Sequence, residues 1–346
     1  MLLYVGLDVH KRFCYGTVMD EKGEIVKDGK FGKDPRCLDE FLDGVDEASV
    51  VMEAGYCWQP VYEWLEKDGY RVKLAHPLET KAIAKAKVKT DKIDSKILAH
   101  LLRADLVPES WVPPKEVRDL RSLVKHRAFL VRMRTKLKNR VHAELDRRDI
   151  DLHIPLFTRR GRELLKSLGI DAVNQLLSVM EVLDVQIREV SGKIKGLVEE
   201  SEDAMLLTTI PGVGYYNALL LVAEIGDVDR FPDSEKLCAY AGLVPSVRRS
   251  GNKAVYGSIT KEGSKWIRWA LVQSVHAHVR CDTQLSRFYH RLAERKRKQV
   301  AVVATARKML KVVYWMLKDK EPFHQHEGVN MEECVTPSVS LRVGPR

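Results

Sequence analysis

The stretch "KTDKIDSKILAHLL", Lys89 to Leu102, sets two aspartates three residues apart ahead of an apolar run. Residues three apart on a helix are near neighbours, so the spacing predicts a helix on which Asp91 and Asp94 point the same way. Ile97, Leu98, Leu101 and Leu102 follow at helical spacing and predict a buried stripe that holds the acids at a fixed place. Two carboxylates on one face can reach one ion. For this pair alone, a solvated first turn favoured by the positive end of the helix dipole is the simpler account. Chemistry requires that other acids of the chain meet them.

Upstream, "LLYVGLDV", "CYGTVMD" and "EIVKDGKFG" read as three strands, the last two joined by the Glu-Lys-Gly turn at 21 to 23. A helix from about Pro35 to Asp43, the strand "SVVMEA", the helix "WQPVYEWLEKDG" ended by Gly69, and the strand "RVKLAHP" lead into the opening stretch. A three-strand meander followed by strand and helix in alternation predicts an α/β domain over residues 1–110, a mixed sheet with helices on its faces. Asp8 falls in the first strand between Leu7 and Val9, and Glu53 ends the fourth, where "EAGY" leaves the sheet. An acid in an apolar strand is costly when buried without a partner, and the strand ends of open sheets are where such folds place their sites. Asp8, Glu53, Asp91 and Asp94 are therefore expected to converge on one or two divalent ions. Four hard oxygen donors suit Mg²⁺ or Mn²⁺, and two such ions can clamp an in-line phosphoryl transfer. Each acid taken singly is more simply structural; the case rests on all four.

Composition points to a polyanionic partner. The 346 residues carry 58 Lys and Arg against 48 Asp and Glu, a formal charge of +10. The excess is concentrated: Lys115 to Arg148 holds 12 basic residues against 4 acidic, and "RFYHRLAERKRK", Arg287 to Lys298, holds six against one. One such run is an ordinary solvated helix face, whereas two in a basic chain favour phosphate contact. Six cysteines without a C-x-x-C pair fit free thiols in a reducing compartment, and His324, His326 and Cys334 match no usual zinc spacing. With no signal peptide and no apolar run that could span a bilayer, a cytoplasmic, nucleoid-associated protein without membrane contact is expected.

The motifs "YVGLDVHK", "VVMEAGY" and "KTDKIDSKILA" resemble the acidic tetrad of the DEDD insertion-sequence transposases, the bridge-RNA-guided recombinases whose N-terminal domain is RuvC-like with an RNase H fold. The likeness extends over nearly the whole chain. It implies that Asp8, Glu53, Asp91 and Asp94 are the metal-binding acids, that the partners are the DNA of element ends and target, and that an element-encoded guide RNA supplies recognition.

The middle region, 111–200, reads as helical. Val173, Met180, Ile187 and Ile194 alternate with Leu176, Leu183, Val190 and Leu197 in a heptad that predicts a two-stranded coiled coil, and hence a homo-oligomer, dimer or tetramer. A helix packed within its own chain is the alternative. The preceding basic helix, with Arg132, Arg134, Lys136, Lys138 and Arg140, is expected to line a nucleic-acid channel.

The third region, 201–320, is expected to be mainly α. It opens with "LLTTIPGVGYYNALLLVAEIG", the pattern of a helix-hairpin-helix in which Gly212 and Gly214 present backbone N–H groups to a phosphate. "CAYAGLVPSVRRSGNKAVYGSITKEGSKWIRWAL" follows, with candidate serines at 246, 250, 258 and 264. Arg248, Arg249, Lys253, Lys261 and Arg268 are candidate phosphate contacts around them. From the residues alone Ser250 reads as an ordinary turn or phosphate-binding serine. The resemblance implies instead that Ser250 is the nucleophile that joins covalently to DNA, with Ser246 its rival. Residues 321–346 form a tail without a usable signal. A structure-selective endonuclease acting through the acids alone, and a non-enzymatic DNA-binding protein, are the competing readings.

Overall fold

The structure is a computed structural model that describes residues 2–45, 47–84, 90–250 and 253–323, apart from the side chains of 248–250, 253, 254 and 256. It divides into two compact units, Met1–Val112 and Pro113–Arg346. Lys89 of the opening stretch, Gly251, and the tail beyond 323 with His324, His326 and Cys334 lie outside the described residues.

The N-terminal unit runs β1 (Leu3–Val9), β2 (Phe13–Met19), β3 (Ile25–Gly32), α1 (Pro35–Leu42), β4 (Ala48–Glu53), α2 (Trp58–Lys67), β5 (Arg71–Ala75), α3 (Pro77–Ile83) and α4 (Asp91–Arg103). All strands expected from the sequence are present; α3 was not anticipated, its start being set by Pro77 in the first turn behind the His76 cap. The five strands form one sheet in the order β3-β2-β1-β4-β5. β1, β2 and β3 pair antiparallel, and β4 and β5 join parallel to β1 through helical crossovers.

Period-2 alternation sorts the strand residues between two faces. Val5, Leu7, Val50 and Met52 pack under α1 and α2 with Leu38, Phe41, Val61 and Leu65. Val51 and Ala75 face the other way, against Leu98 and Leu102 of α4. Gly6 lies on that second face, and its place shows how close α4 comes. A Cβ there would sit 2.1 Å from the Ser95 carbonyl oxygen and 2.6 Å from the Ala99 nitrogen. A buried hydroxyl pair, Thr17 Oγ1 to Ser95 Oγ at 2.8 Å, fastens the same turn of α4 to β2. Thr90 caps α4 by accepting from the Ile93 N–H.

The second unit runs α5 (Lys115–Asp146), α6 (Arg159–Ser167), α7 (Asp171–Glu199), α8 (Glu202–Thr208), α9 (Tyr215–Ile225), α10 (Ser234–Tyr240), β6 (Pro245–Ser250), β7 (Lys253–Ile259), α11 (Lys265–His278), α12 (Gln284–Ala293) and α13 (Lys298–Asp319). α5 and α7 lie antiparallel, since Arg134 meets Asp184 while Arg127 meets Ser191. The heptad of α7 is occupied inside the chain: Val173, Met180, Leu183, Ile187, Val190 and Ile194 are buried, the last four in one core with Val124 and Leu130 of α5 and with α9. Its periodicity required a helical partner, and α5 supplies one without a second copy. α5 and α7 thus share their main core with the helices of the third region. At its centre α9 is apolar nearly all round, as its sequence "ALLLVAEI" requires of a helix enclosed by others.

The serine segment is a β-hairpin. β6 and β7 pair antiparallel with Ser250 opposite Lys253, Arg249 opposite Ala254 and Arg248 opposite Val255. β6 and β7 carry Val247, Val255 and Ile259, β-branched residues that favour a ladder.

Candidate metal centre and nucleic-acid interface

The α4 face of the sheet assembles the acids. Asp8 lies two residues beyond Gly6 on the same face of β1, while Asp91 lies one turn before Ser95 on α4, so the contact at Gly6 carries the two carboxylates together. Asp94 sits in that same first turn. Glu53 ends β4: Leu7 pairs with Met52, so Asp8 and Glu53 are next in register on adjacent parallel strands. Glu53 and Asp94 are both half-buried.

One member of the cluster escaped the sequence reading. His10 follows Asp8 by two residues, and its Nε2 lies 3.2 Å from Asp8 Oδ2 and 3.2 Å from Asp91 Oδ1. His10 stands just past the end of β1, and its second partner is far away in sequence and left no local trace. Burial holds the Asp8 carboxyl above its usual range; Asp91 and Asp94 push it the same way, and His10 opposes them. Carboxylates gathered at a partly dry spot repel one another and are stabilised by a cation. The ligand atoms of Asp8, His10 and Asp91 all lie within 4.8 Å of one another, a donor set that fits a divalent ion.

The basic helix α5 is more heavily engaged than its sequence suggested. Arg134 is bound to Asp184, which also holds Arg162. Arg140 pairs with Glu144, Lys138 stands over Phe157 at 4.9 Å, and Arg132 over Trp266 at 4.8 Å. Lys136 is exposed. Periodicity does not distinguish a cation aimed at solvent from one aimed at a neighbouring helix. Further up α5, Arg121 donates to the carbonyls of Ala223 and Glu224 at the C-terminal end of α9, where a cation also complements the helix dipole. Buried Glu224 is held by Lys125 at 2.8 Å and by the Ser264 hydroxyl at 2.6 Å.

In the PGVG turn the two glycines differ. Gly212 has φ +89°, and a Cβ there would meet the Ser274 carbonyl oxygen at 2.6 Å and the His278 nitrogen at 2.9 Å, so it is glycine because α11 packs against it. Gly214 is exposed, with open space around its Cβ position, and starts α9 without a side-chain cap. Buried His278 locks the turn from behind: Nδ1 donates to the Pro211 carbonyl at 2.7 Å, and Nε2 accepts from Thr283 Oγ1 at 2.7 Å. Burial pushes its pKa down.

Of the four serines, Ser264 caps α11 and binds Glu224, which is a structural duty. Ser258 lines an apolar cavity of about 710 Å³ with Leu243, Ile259 and Val303. Exposed Ser246 sets its Oγ 2.4 Å from where a Cβ of Gly257 would stand. The backbone of Ser250 ends β6, and its side chain, like those of Arg248, Arg249 and Lys253, lies outside the described residues. Half-buried Arg268, another candidate phosphate contact, donates to the Ala241 carbonyl at 2.8 Å. Exposed Lys261 holds φ +58°.

Residues 5–148 match a transposase family model of the DEDD IS110 type, and residues 204–290 match the transposase IS116/IS110/IS902 family. Similar proteins include a transposase for insertion sequence element IS1111A from Coxiella burnetii, 29% identical over 92% of this chain and 90% of its own length. A transposase for insertion sequence element IS1328 from Yersinia enterocolitica is 25% identical over 90% of this chain and 95% of its own. A pilin gene-inverting protein from Moraxella bovis is 27% identical over 79% of this chain and 81% of its own. The first model covers the acidic cluster and α5, the second the PGVG turn, the hairpin and α11. Together these matches make the chain a member of the IS110-type DEDD transposase family.

Proposed function

We propose that this protein is a transposase or recombinase that cuts and rejoins DNA by metal-dependent phosphoryl transfer, with Asp8, Glu53, Asp91 and Asp94 as its metal-binding acids. The observation that carries the reading is the approach of Asp8 and Asp91 from β1 and α4, linked through His10 in a chain of this family. Mg²⁺ or Mn²⁺ bound there supplies positive charge to the phosphoryl oxygens. The acids would hold the ion at the edge of the sheet, and Gly6 lets the two elements that carry Asp8 and Asp91 approach closely.

Ser250 is the nucleophile in this proposal. Its Oγ forms a bond to phosphorus as the bond from phosphorus to the leaving deoxyribose oxygen breaks; the serine proton passes to a base and the leaving oxygen takes one up. Attack by a DNA hydroxyl then reverses the exchange and restores the serine. Its position at the end of β6, beside two arginines and opposite Lys253, supports the role, because cations near a scissile phosphate stabilise its developing charge. The PGVG turn acts as a helix-hairpin-helix through Gly214 and the start of α9, and Lys136 and Lys261 contact the DNA backbone. Sequence recognition comes from an element-encoded RNA, which agrees with a basic chain that needs mostly backbone contacts.

The test uses purified protein, Mg²⁺, labelled DNA from the element junction and its target, and RNA from the element's noncoding flank. Wild type is expected to give DNA that migrates with protein on a denaturing gel. The adduct should be absent in Ser250→Ala and Asp8→Asn, and without metal or RNA. Free cut ends without adduct, unchanged by Ser250→Ala, would establish a plain endonuclease. Binding that persists without divalent ions and without any cutting would leave a non-enzymatic DNA-binding protein.

A further inference from the structure

His10 is not one of the four acids, yet it stands between two of them, Asp8 and Asp91. A single nitrogen faces two carboxylate oxygens from different elements at 3.2 Å each, and the third side of that triangle is within 4.8 Å. Around an octahedral ion with ligands at about 2.1 Å, adjacent donor atoms stand about 3.0 Å apart. Two sides of the triangle therefore already have the length that separates neighbouring ligands.

The imidazole is also held in place. Its ring packs on Phe13 with centroids 4.5 Å apart, and the His10 backbone N–H donates to the Phe13 carbonyl at 2.9 Å, closing the turn between β1 and β2. A ring fixed in this way presents Nε2 to the acids without an ordering cost at the moment of binding. Nitrogen is also a different kind of donor from those of the tetrad. Mg²⁺ takes oxygen ligands and keeps its waters, whereas imidazole suits transition metals.

We propose that His10 Nε2 is a direct ligand of the divalent ion at this centre, and that it biases the centre toward Mn²⁺ over Mg²⁺. The proposal rests on the metal-centre reading above and adds to it the identity of a nitrogen ligand and its consequence for metal choice. Asp8 and Asp91 bind either ion; His10 sets the difference between them.

The test is made on the full chain stripped of metal, with no DNA and no activity readout. Mn²⁺ binding is followed by electron paramagnetic resonance, Mg²⁺ binding by competition, and nitrogen ligation by ¹⁴N modulation in the pulsed spectrum of the Mn²⁺ form. Wild type should show ¹⁴N modulation, and His10→Ala and His10→Gln should lose it. Their Mn²⁺ affinity should fall about tenfold and their Mg²⁺ affinity by less than about threefold. Absence of ¹⁴N modulation in wild type, its persistence in His10→Ala, or an equal loss of both affinities overturns the proposal and leaves His10 as a hydrogen-bond partner of the carboxylates. The wild-type spectrum decides alone if a variant does not fold. Asp8→Asn separates the two readings: Mn²⁺ binding unchanged by it defeats the metal centre itself. Loss of binding in Asp8→Asn, with His10 variants that match wild type, defeats only the role of His10.

Discussion

The hydroxyl pair between Thr17 and Ser95 is small, but it ties α4 to β2. Both side chains are buried, Thr17 at 1% exposure and Ser95 at 0%, and their oxygens are 2.8 Å apart. Ser95 Oγ also donates to the Lys92 carbonyl at 3.1 Å, so the Thr17 hydroxyl is the donor in the pair. Ser95→Ala leaves that donor buried without an acceptor, a loss of about 1–3 kcal/mol. Thr17→Val is milder, about 0.5–1 kcal/mol, because Ser95 keeps its bond to Lys92. In the double variant no unpaired donor remains, and the expected cost is below about 1 kcal/mol. Amide exchange in β1, β2 and α4 of the full chain measures these differences locally, and urea denaturation of the N-terminal transition measures them globally. A cost under about 0.5 kcal/mol for Ser95→Ala, or a double variant at least as unstable as the two single ones added, would refute the argument.

Three further outcomes follow from the same structure. Because burial and neighbouring acids raise the Asp8 pKa, its ionised form opposes folding above that raised value, and the penalty lifts as pH falls through it toward the ordinary carboxylate value. Asp8→Asn should therefore raise the metal-free melting temperature at neutral pH; a lowered one contradicts this. His278 has a depressed pKa, so its contribution is whole above about pH 6.5, the unfolded value, and is lost as pH falls through the lower folded one. The urea midpoint of wild type should fall across that window more steeply than that of His278→Asn, and equal slopes would remove the explanation. Lys125→Met leaves Glu224, only 4% exposed, with the Ser264 hydroxyl and without the Lys125 ammonium, which should destabilise the second unit by about 2–4 kcal/mol by chemical denaturation. A loss below about 1 kcal/mol would show that Glu224 is satisfied without the lysine.

Local pattern carried much of the fold and part of the site. Asp91 and Asp94 could be assigned to one helix turn because their spacing and the leucines behind them are a short-range signal, and Asp8 and Glu53 to strands because acids interrupt apolar runs. What pattern does not carry is the partner. The heptad of α7 announced a helical neighbour but not that α5, in the same chain, would be it. Arg134 and Arg268 read as basic surface, yet Asp184 and the Ala241 carbonyl take them. Gly212 was legible as a glycine that matters, while the reason, α11 lying against its Cα, depends on residues 60 and more positions away. His10 was passed over on the same ground: nothing beside it in the chain reveals that Asp91 will arrive at its other side.

The close approach at Gly6 also bears on how copies of such an element are to be judged. A copy that retained Asp8, Glu53, Asp91, Asp94 and Ser250 but carried any side chain at position 6 would need to lift α4 from β1, because a Cβ 2.1 Å from a backbone oxygen has no flexible neighbour to yield. Every catalytic candidate would still be written in its gene, and the centre would not assemble. In distinguishing a live copy from a relic, a residue with no functional group at all has the same standing as the acids.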